Sequence, residues 1–302
     1  MLSYQWRKTF NRLLTMSLAQ PLISVTLPNY NYGKFLAQAF ESVLVQSYEH
    51  FEILFVDDGS TDESVEIAKD FERRDSRIKA VYFEKNQGVL PAHANTWGRV
   101  RGEIVYQYSS DDAVHDRDFF RLGVGALHAF PHAGGFFGPA AMISAETGAA
   151  MGPLGGATQE GYLSPATFFK GFLRTNVAVP GISSLWKKSA IDELGGYDYR
   201  LGPQADYFIN HAIPTRYGVV YCQRTMAIAR VSEAKTSYSS NTKLEDQMRR
   251  IALFEKKLRG VASHLRQTED EWRVWRAEQA RILLVKYGRE AVTSLNSGQK
   301  TK

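Results

Sequence analysis

Gly102-Glu103-Ile104-Val105-Tyr106-Gln107-Tyr108-Ser109-Ser110-Asp111-Asp112 is the stretch on which the fold turns. A glycine opens it, an apolar and aromatic run of strand character follows, and two adjacent carboxylates stand where the strand should end. In an open α/β sheet, ligands bind at the carboxyl ends of strands. Two neighbouring acids there suit a hard divalent cation such as Mg²⁺, which takes one or two carboxylates together with its substrate's phosphates. The same pair also suits a helix start, where an aspartate caps free N–H groups. Taken alone, the stretch leaves both readings open.

Toward the N-terminus the pattern repeats. Leu22 to Leu27 reads as a buried, β-branched strand closed by the loop Pro28-Asn29-Tyr30-Asn31-Tyr32-Gly33. Phe35, Leu36, Ala39, Phe40, Val43 and Leu44 then recur at helical spacing. Phe51 to Val56 is a second strand, running into Asp57-Asp58-Gly59-Ser60-Thr61-Asp62, a turn that supplies an N-cap for a helix over 62–74. A third strand spans Ile78 to Phe83, and a helix over 89–100 leads back to the opening stretch. Strands and helices in alternation predict right-handed βαβ crossovers and a mostly parallel sheet. Asp57, Asp58, Asp111 and Asp112 then converge on one edge of it.

Toward the C-terminus the spacing predicts a helix over 117–130 and one apolar strand from Gly134 to Ile143, then a turn and a flexible Gly-rich stretch, Gly152 to Gly161. Pro180 to Trp186 leads into a helix ending at Leu194-Gly195-Gly196. A later helix carries Asp206 near its start, and Val219 to Cys222 is a strand. From Thr242 onward the chain is charged and helical.

Composition bounds the reading. The 302 residues, 44% hydrophobic and 23% charged, fit a globular chain and exclude a mainly disordered one. The single cysteine, Cys222, excludes a disulfide framework and a multi-cysteine zinc site, and a reducing cytoplasm is the expected compartment. No run of 18 apolar residues predicts a membrane span. Residues 235–302 hold 15 Lys and Arg against 8 Asp and Glu, so the tail is basic and the remainder close to neutral. A basic tail of this kind suits an anionic membrane surface or a solvated helix face.

At the level of motifs the chain resembles the inverting family 2 glycosyltransferases with the GT-A fold. Ser24-Val25-Thr26-Leu27-Pro28-Asn29-Tyr30-Asn31 resembles the family's opening V-x-x-P-x-Y-N segment, and Val56-Asp57-Asp58-Gly59-Ser60-Thr61-Asp62 its V-D-D-G-S-x-D turn. Asn86-Gln87-Gly88 and Arg101-Gly102-Glu103-Ile104 resemble two further landmarks, Ser109-Ser110-Asp111-Asp112 takes the place of the DxD-type motif, and Gly195-Gly196-Tyr197-Asp198 with Asp206 resembles the acceptor-side segment. These six fall in the family's order over residues 22–237.

The resemblance implies an α/β fold of GT-A type: a Rossmann-like, mostly parallel central sheet flanked by helices, with a helical C-terminal appendage. Its parts would be an amphipathic lead-in over 1–21, a GT-A domain over 22–237 with nucleotide-binding (22–112) and acceptor (113–237) halves, and a basic appendage over 238–302. It implies that Pro28, Tyr30, Asp57, Asp58 and Asp111 bind the nucleotide, that Asp112 with Asp111 holds Mg²⁺ or Mn²⁺, and that Asp206 is the general base. The expected partners are a nucleoside-diphosphate sugar, UDP-linked, and a saccharide or lipid-linked saccharide acceptor, with no nucleic acid; the expected place is the cytoplasm, against the inner membrane face. Three positions depart from the family pattern: Ser109 replaces the first acid, Ala205 the glutamate before the base, and Ser232 a histidine. These departures motivate the alternative, a degenerate GT-A domain that binds nucleotide-sugar or a protein partner. A phosphorelay receiver shares the acidic pair of Asp57-Asp58 but is far shorter. A sugar nucleotidyltransferase would need a Gly- and Arg-containing phosphate loop that this chain lacks.

Overall fold

The structure, a computed structural model, describes residues 20–174, 177–232 and 243–288. The expected lead-in lies outside the described residues except for Gln20 and Pro21, as do residues 289–302 of the basic tail. In chain order the first half is β1 (Ile23–Asn29), α1 (Gly33–Leu44), β2 (Phe51–Asp57), α2 (Ser64–Arg74), β3 (Ile78–Tyr82), α3 (Val89–Gly98) and β4 (Ile104–Gln107). The second half continues as β5 (Ala113–Val114), α4 (Phe119–Ala129), β6 (Gly135–Phe137), β7 (Ala140–Ser144), β8 (Ala150–Leu154), β9 (Gly161–Leu163) and α5 (Pro165–Leu173). It ends with β10 (Ser184–Lys187), α6 (Lys188–Glu193), α7 (Ala205–Tyr217), β11 (Val219–Tyr221), β12 (Ala227–Val231), α8 (Leu244–Val261) and α9 (Glu269–Tyr287).

An eight-stranded sheet has the order β3-β2-β1-β4-β10-β6-β11-β9. Its β3-β2-β1-β4 half is parallel, as βαβ alternation requires. The other half is mixed, because β10 runs antiparallel to both β4 and β6, and β9 antiparallel to β11. Every residue of β2 is buried, consistent with a strand covered on both faces. One face carries α1, α2 and α4 over a core with Phe40, Phe55 and Phe120. The other carries α5 to α9 over a core with Phe172, Trp186 and Ile209. Phe254, Trp272 and Trp275 of the C-terminal helices are buried in that second core. Trp275 stacks on Phe254 with ring centroids 5.7 Å apart.

Two expectations are corrected. The single strand expected from Gly134 to Ile143 is two strands in two different sheets, β6 in the large one and β7 in a four-stranded sheet ordered β5-β12-β7-β8. The break falls at Gly138-Pro139, where a Cβ on Gly138 would come within 2.6 Å of the Arg224 carbonyl and Met226, and where proline lacks a ladder donor. The stretch expected to be flexible begins instead as β8, paired antiparallel with β7, and Gly156 bridges to Ala178.

The Asp57-Asp58-Gly59 turn depends on its glycine. Gly59 has φ +71°, and a Cβ there would lie 2.4 Å from the Lys85 carbonyl carbon. Gly59→Ala is expected to destabilise the protein by about 2–4 kcal/mol, read as a lowered urea midpoint, because the positive φ disfavours a side chain and the atoms it would meet are the backbone of Lys85 and Asn86.

Candidate active site

Strand pairing assembles the carboxyl edge. Asn29 pairs with Asp57 and Asp57 with Tyr82 across β1, β2 and β3. Beyond β4, Ser110 Oγ donates to the Pro28 carbonyl at 2.8 Å, tying the acidic turn to the end of β1. Pro28, Tyr30, Asp57, Asp58, Asp111 and Asp112 therefore share one edge, with Tyr30 exposed at its rim.

The acids do not all do the same work. Asp57 is fully buried and accepts from Asn29 Nδ2 at 2.9 Å, Ser60 N–H at 2.8 Å and Ser60 Oγ at 2.7 Å. Asp58, also buried, accepts the backbone N–H groups of Gln87 and Gly88 at 2.7 and 2.8 Å. These two carboxylates thus hold the loops around the edge in place.

Asp111 and Asp112 are held by groups from the second sheet. The Arg230 backbone N–H donates to Asp112 Oδ1 at 2.9 Å, and its guanidinium donates to the Asp111 carbonyl at 2.7 Å. The same guanidinium bonds Gln38 and lies over the Phe35 ring at 4.9 Å, so α1 and β12 clamp the acidic turn together. Burial pushes both carboxyls above the usual range; their mutual repulsion adds to this at Asp112, and Arg230 partly offsets it. Tyr32 stands beside the pair: burial, then Asp111 and Asp112, raise its phenol.

Among the described residues no group of three His, Cys, Asp or Glu is arranged to hold a metal, which excludes a closed structural site there. The donor set fits an open one. Two hard carboxylates at a strand end, with Asp112 Oδ1 used structurally, leave coordination to be completed by substrate phosphates, as Mg²⁺ and Mn²⁺ sites of this kind require.

Asp206 reaches the same edge from the other half. Tyr106 Oη donates to the Ile182 carbonyl at 2.7 Å, which places the 181–183 turn at the end of β4. Asp206 Oδ2 lies 3.8 Å from where a Gly181 Cβ would be. Asp206 sits in the first turn of α7, where its Oδ1 accepts the Tyr207 N–H at 2.7 Å. Asp206 is exposed at the surface, but the protein packed around its carboxyl removes part of its hydration, and this desolvation raises the carboxyl above the ordinary range.

Sequence reasoning did not reach Tyr32, or the bonds by which Arg230 holds the acidic turn. Arg230 lies 118 residues from Asp112, and only the pairing of β12 with β5 and β7 brings it there.

A Rossmann-like sheet with helices on both faces and acids gathered at the carboxyl edge defines a GT-A fold. Residues 24–172 match the family model described as glycosyl transferase family 2, and this part of the chain is a domain of that family. GlyG, a glycosyltransferase of Streptococcus pneumoniae serotype 4, is 40% identical over 95 residues, 32% of this chain and 32% of GlyG. TuaG of Bacillus subtilis, a glycosyltransferase named for teichuronic acid biosynthesis, is 40% identical over 93 residues, 31% of this chain and 37% of TuaG. The matches thus span about a third of the length of these curated relatives. Among solved structures, Staphylococcus aureus TarS 1–349 in complex with UDP superposes with a TM-score of 0.67 at 15% identity, over 93% of this chain and 75% of that one. The mannosyltransferase PcManGT from Pyrobaculum calidifontis, in complex with GDP-Man and Mn²⁺, gives 0.54 at 17% identity, over 99% and 86%. At these identities the likeness is one of fold. Among the described residues no helix is long and apolar enough to cross a membrane.

Proposed function

We propose that this chain transfers a sugar, with inversion, from a nucleoside-diphosphate sugar, UDP-linked, to a hydroxyl of a saccharide or lipid-linked saccharide in cell-surface glycan biosynthesis. The observation that carries the reading is the meeting of the Asp111-Asp112 pair and Asp206 at one edge of the sheet in a family 2 domain. The glycosyltransferase relatives and the nucleotide complexes of the structural neighbours support it.

Pro28 and Tyr30 would wall the nucleobase pocket, and Asp57 and Asp58 would shape it chiefly by fixing the loops that they bind. Asp111 and Asp112 would hold Mg²⁺ or Mn²⁺, which stabilises charge developing on the leaving diphosphate. Asp206 takes the proton of the acceptor hydroxyl as that oxygen attacks the anomeric carbon and the bond to the nucleoside diphosphate breaks. Attack from the face opposite the leaving group inverts the configuration. The raised carboxyl of Asp206 suits a base working near neutrality.

The acceptor would be met at the inner membrane face. The basic tail and the exposed Val274, Ile282 and Val285 of α9 support that placement. The chain is expected to sediment with anionic vesicles at low salt and to be released by salt; equal recovery without vesicles removes the placement.

The reading as a whole is tested by incubating the protein with a panel of UDP- and GDP-sugars, with Mg²⁺, Mn²⁺ or chelator, and following free nucleoside diphosphate. Metal-dependent release or tight donor binding is expected. Nucleotide binding in no metal condition overturns the reading.

A further inference from the structure

Gln107, the last residue of β4, meets His93 of α3: Gln107 Nε2 and His93 Nε2 lie 2.9 Å apart. An amide nitrogen can only donate, so His93 Nε2 is the acceptor and its Nδ1 carries the proton, directed at Tyr199 Oη 3.2 Å away. Burial lowers the imidazole to about 4, in keeping with a ring that stays neutral. This arrangement commits the nitrogen of Gln107 to His93 and leaves its Oε1 buried and without a partner.

A second orphan stands close by. Tyr197 Oη is buried and unpartnered, and its ring packs edge-on against His93, with centroids 4.6 Å apart, and against Trp97 at 5.0 Å. Asp206 is near enough for its charge to add to the burial that raises this phenol. The cluster therefore bridges the end of β4, just before the acidic turn, and the segment that carries Asp206. Its groups are a carboxamide, a neutral imidazole, two phenols and aromatic faces. The nearby ammonium groups of Lys188 and Lys257 are held by Asp192 and Asp198.

Buried polar atoms are normally satisfied, and orphans beside a ligand-binding strand edge are candidates to be completed by the ligand. Gln107 Oε1 needs a hydroxyl or amide donor, Tyr197 Oη–H needs an acceptor, and aromatic rings cover apolar C–H surface. A neutral polyol ring supplies all three. A carboxylated sugar would bring its charge beside Asp206, and the two nearby ammonium groups are already held by aspartates. We propose that Gln107, oriented by His93, and Tyr197 form the subsite that reads the transferred sugar and select an uncharged hexopyranose. Gln107 Oε1 accepts from a ring hydroxyl, and Tyr197 Oη donates to a sugar oxygen. The inference rests on the nucleotide-sugar reading above and extends it to the sugar.

The test is titration calorimetry of the full chain with UDP, UDP-glucose and UDP-glucuronate, and with GDP, GDP-mannose and GDP-mannuronate, for wild type, Gln107→Leu and Tyr197→Phe. In wild type the neutral sugar should tighten binding relative to the bare diphosphate, and the uronate should weaken it by tenfold or more, as like charges predict. Each substitution should leave bare diphosphate affinity and thermal midpoint nearly unchanged and reduce the increment due to the sugar by about tenfold. A variant that unfolds loses both affinities together, and the other variant then decides. Unchanged sugar increments in the folded variants, or a uronate bound as well as the neutral sugar, overturn the subsite. Wild type that binds no nucleotide overturns the underlying reading instead, and this one with it.

Discussion

Asp206→Asn is expected to lower turnover about 10²- to 10⁴-fold while donor affinity stays within about twofold, the pattern of a lost proton acceptor. The amide has the shape of the carboxylate and still offers an oxygen to the Tyr207 N–H, so the first turn of α7 keeps its bond. What it cannot do is take a proton from the acceptor. In the wild type the acidic limb of kcat/KM should lie above the ordinary carboxylate pKa of about 3.9, because desolvation raises this group, and the limb should vanish in the variant. The linkage to stability has a definite sign. A carboxyl whose folded pKa exceeds its unfolded value binds more protons when folded, so its contribution to stability falls as pH rises through that window. Above the window the aspartate weighs against folding, and Asp206→Asn should therefore be at least as stable as wild type at pH 7. Urea midpoints at pH 4 and pH 7 check this. A variant both inactive and much less stable at pH 7 would show a structural role for Asp206 and remove it as the base.

Asp112→Asn is expected to abolish metal-dependent turnover, by about 10³-fold or more, and to weaken donor binding in Mg²⁺ or Mn²⁺ toward the value in chelator. The size follows from the several kcal/mol that a metal supplies to a developing diphosphate charge. Asparagine keeps an acceptor for the Arg230 N–H, and the Asp112 carbonyl still receives the Tyr108 hydroxyl at 3.0 Å, so the clamp between the two sheets survives. Asp112→Ala loses the side-chain acceptor as well and should also loosen β12. Comparing the two separates charge from scaffolding, with donor affinity measured against metal concentration and the thermal midpoint beside it. Equal metal response in wild type and Asp112→Asn would move the cation elsewhere.

Much of the site was legible because its information is local. Asp111 and Asp112 follow a short strand, Asp57 and Asp58 end another, and a parallel sheet built by crossovers must bring such ends to one edge. Asp57 and Asp58 carry a further lesson. The sequence places them at the edge, but only the contacts with Asn29, Ser60, Gln87 and Gly88 reveal that their oxygens are already committed to the backbone and side chains around them.

Other features are set by distant partners. Gly134 to Ile143 has the hydrophobicity of one strand, yet close approach of Cys222, Arg224 and Met226 to Gly138 divides it between two sheets. The apolar residues of the C-terminal helices read as a solvated tail with scattered tryptophans, whereas Trp272 packs against Phe169 from α5, about a hundred residues earlier. The sequence by itself determined the βαβ half, the convergence of the acids on its carboxyl edge and the family, since these follow from period, turn chemistry and motif order. Tertiary structure alone decided the mixed half of the sheet, the Arg230 clamp, the pairing of His93 with Gln107 and the seating of α8 and α9. Those depend on which side chains meet across long stretches of chain, and hydrophobic periodicity records that a face is buried but not what covers it.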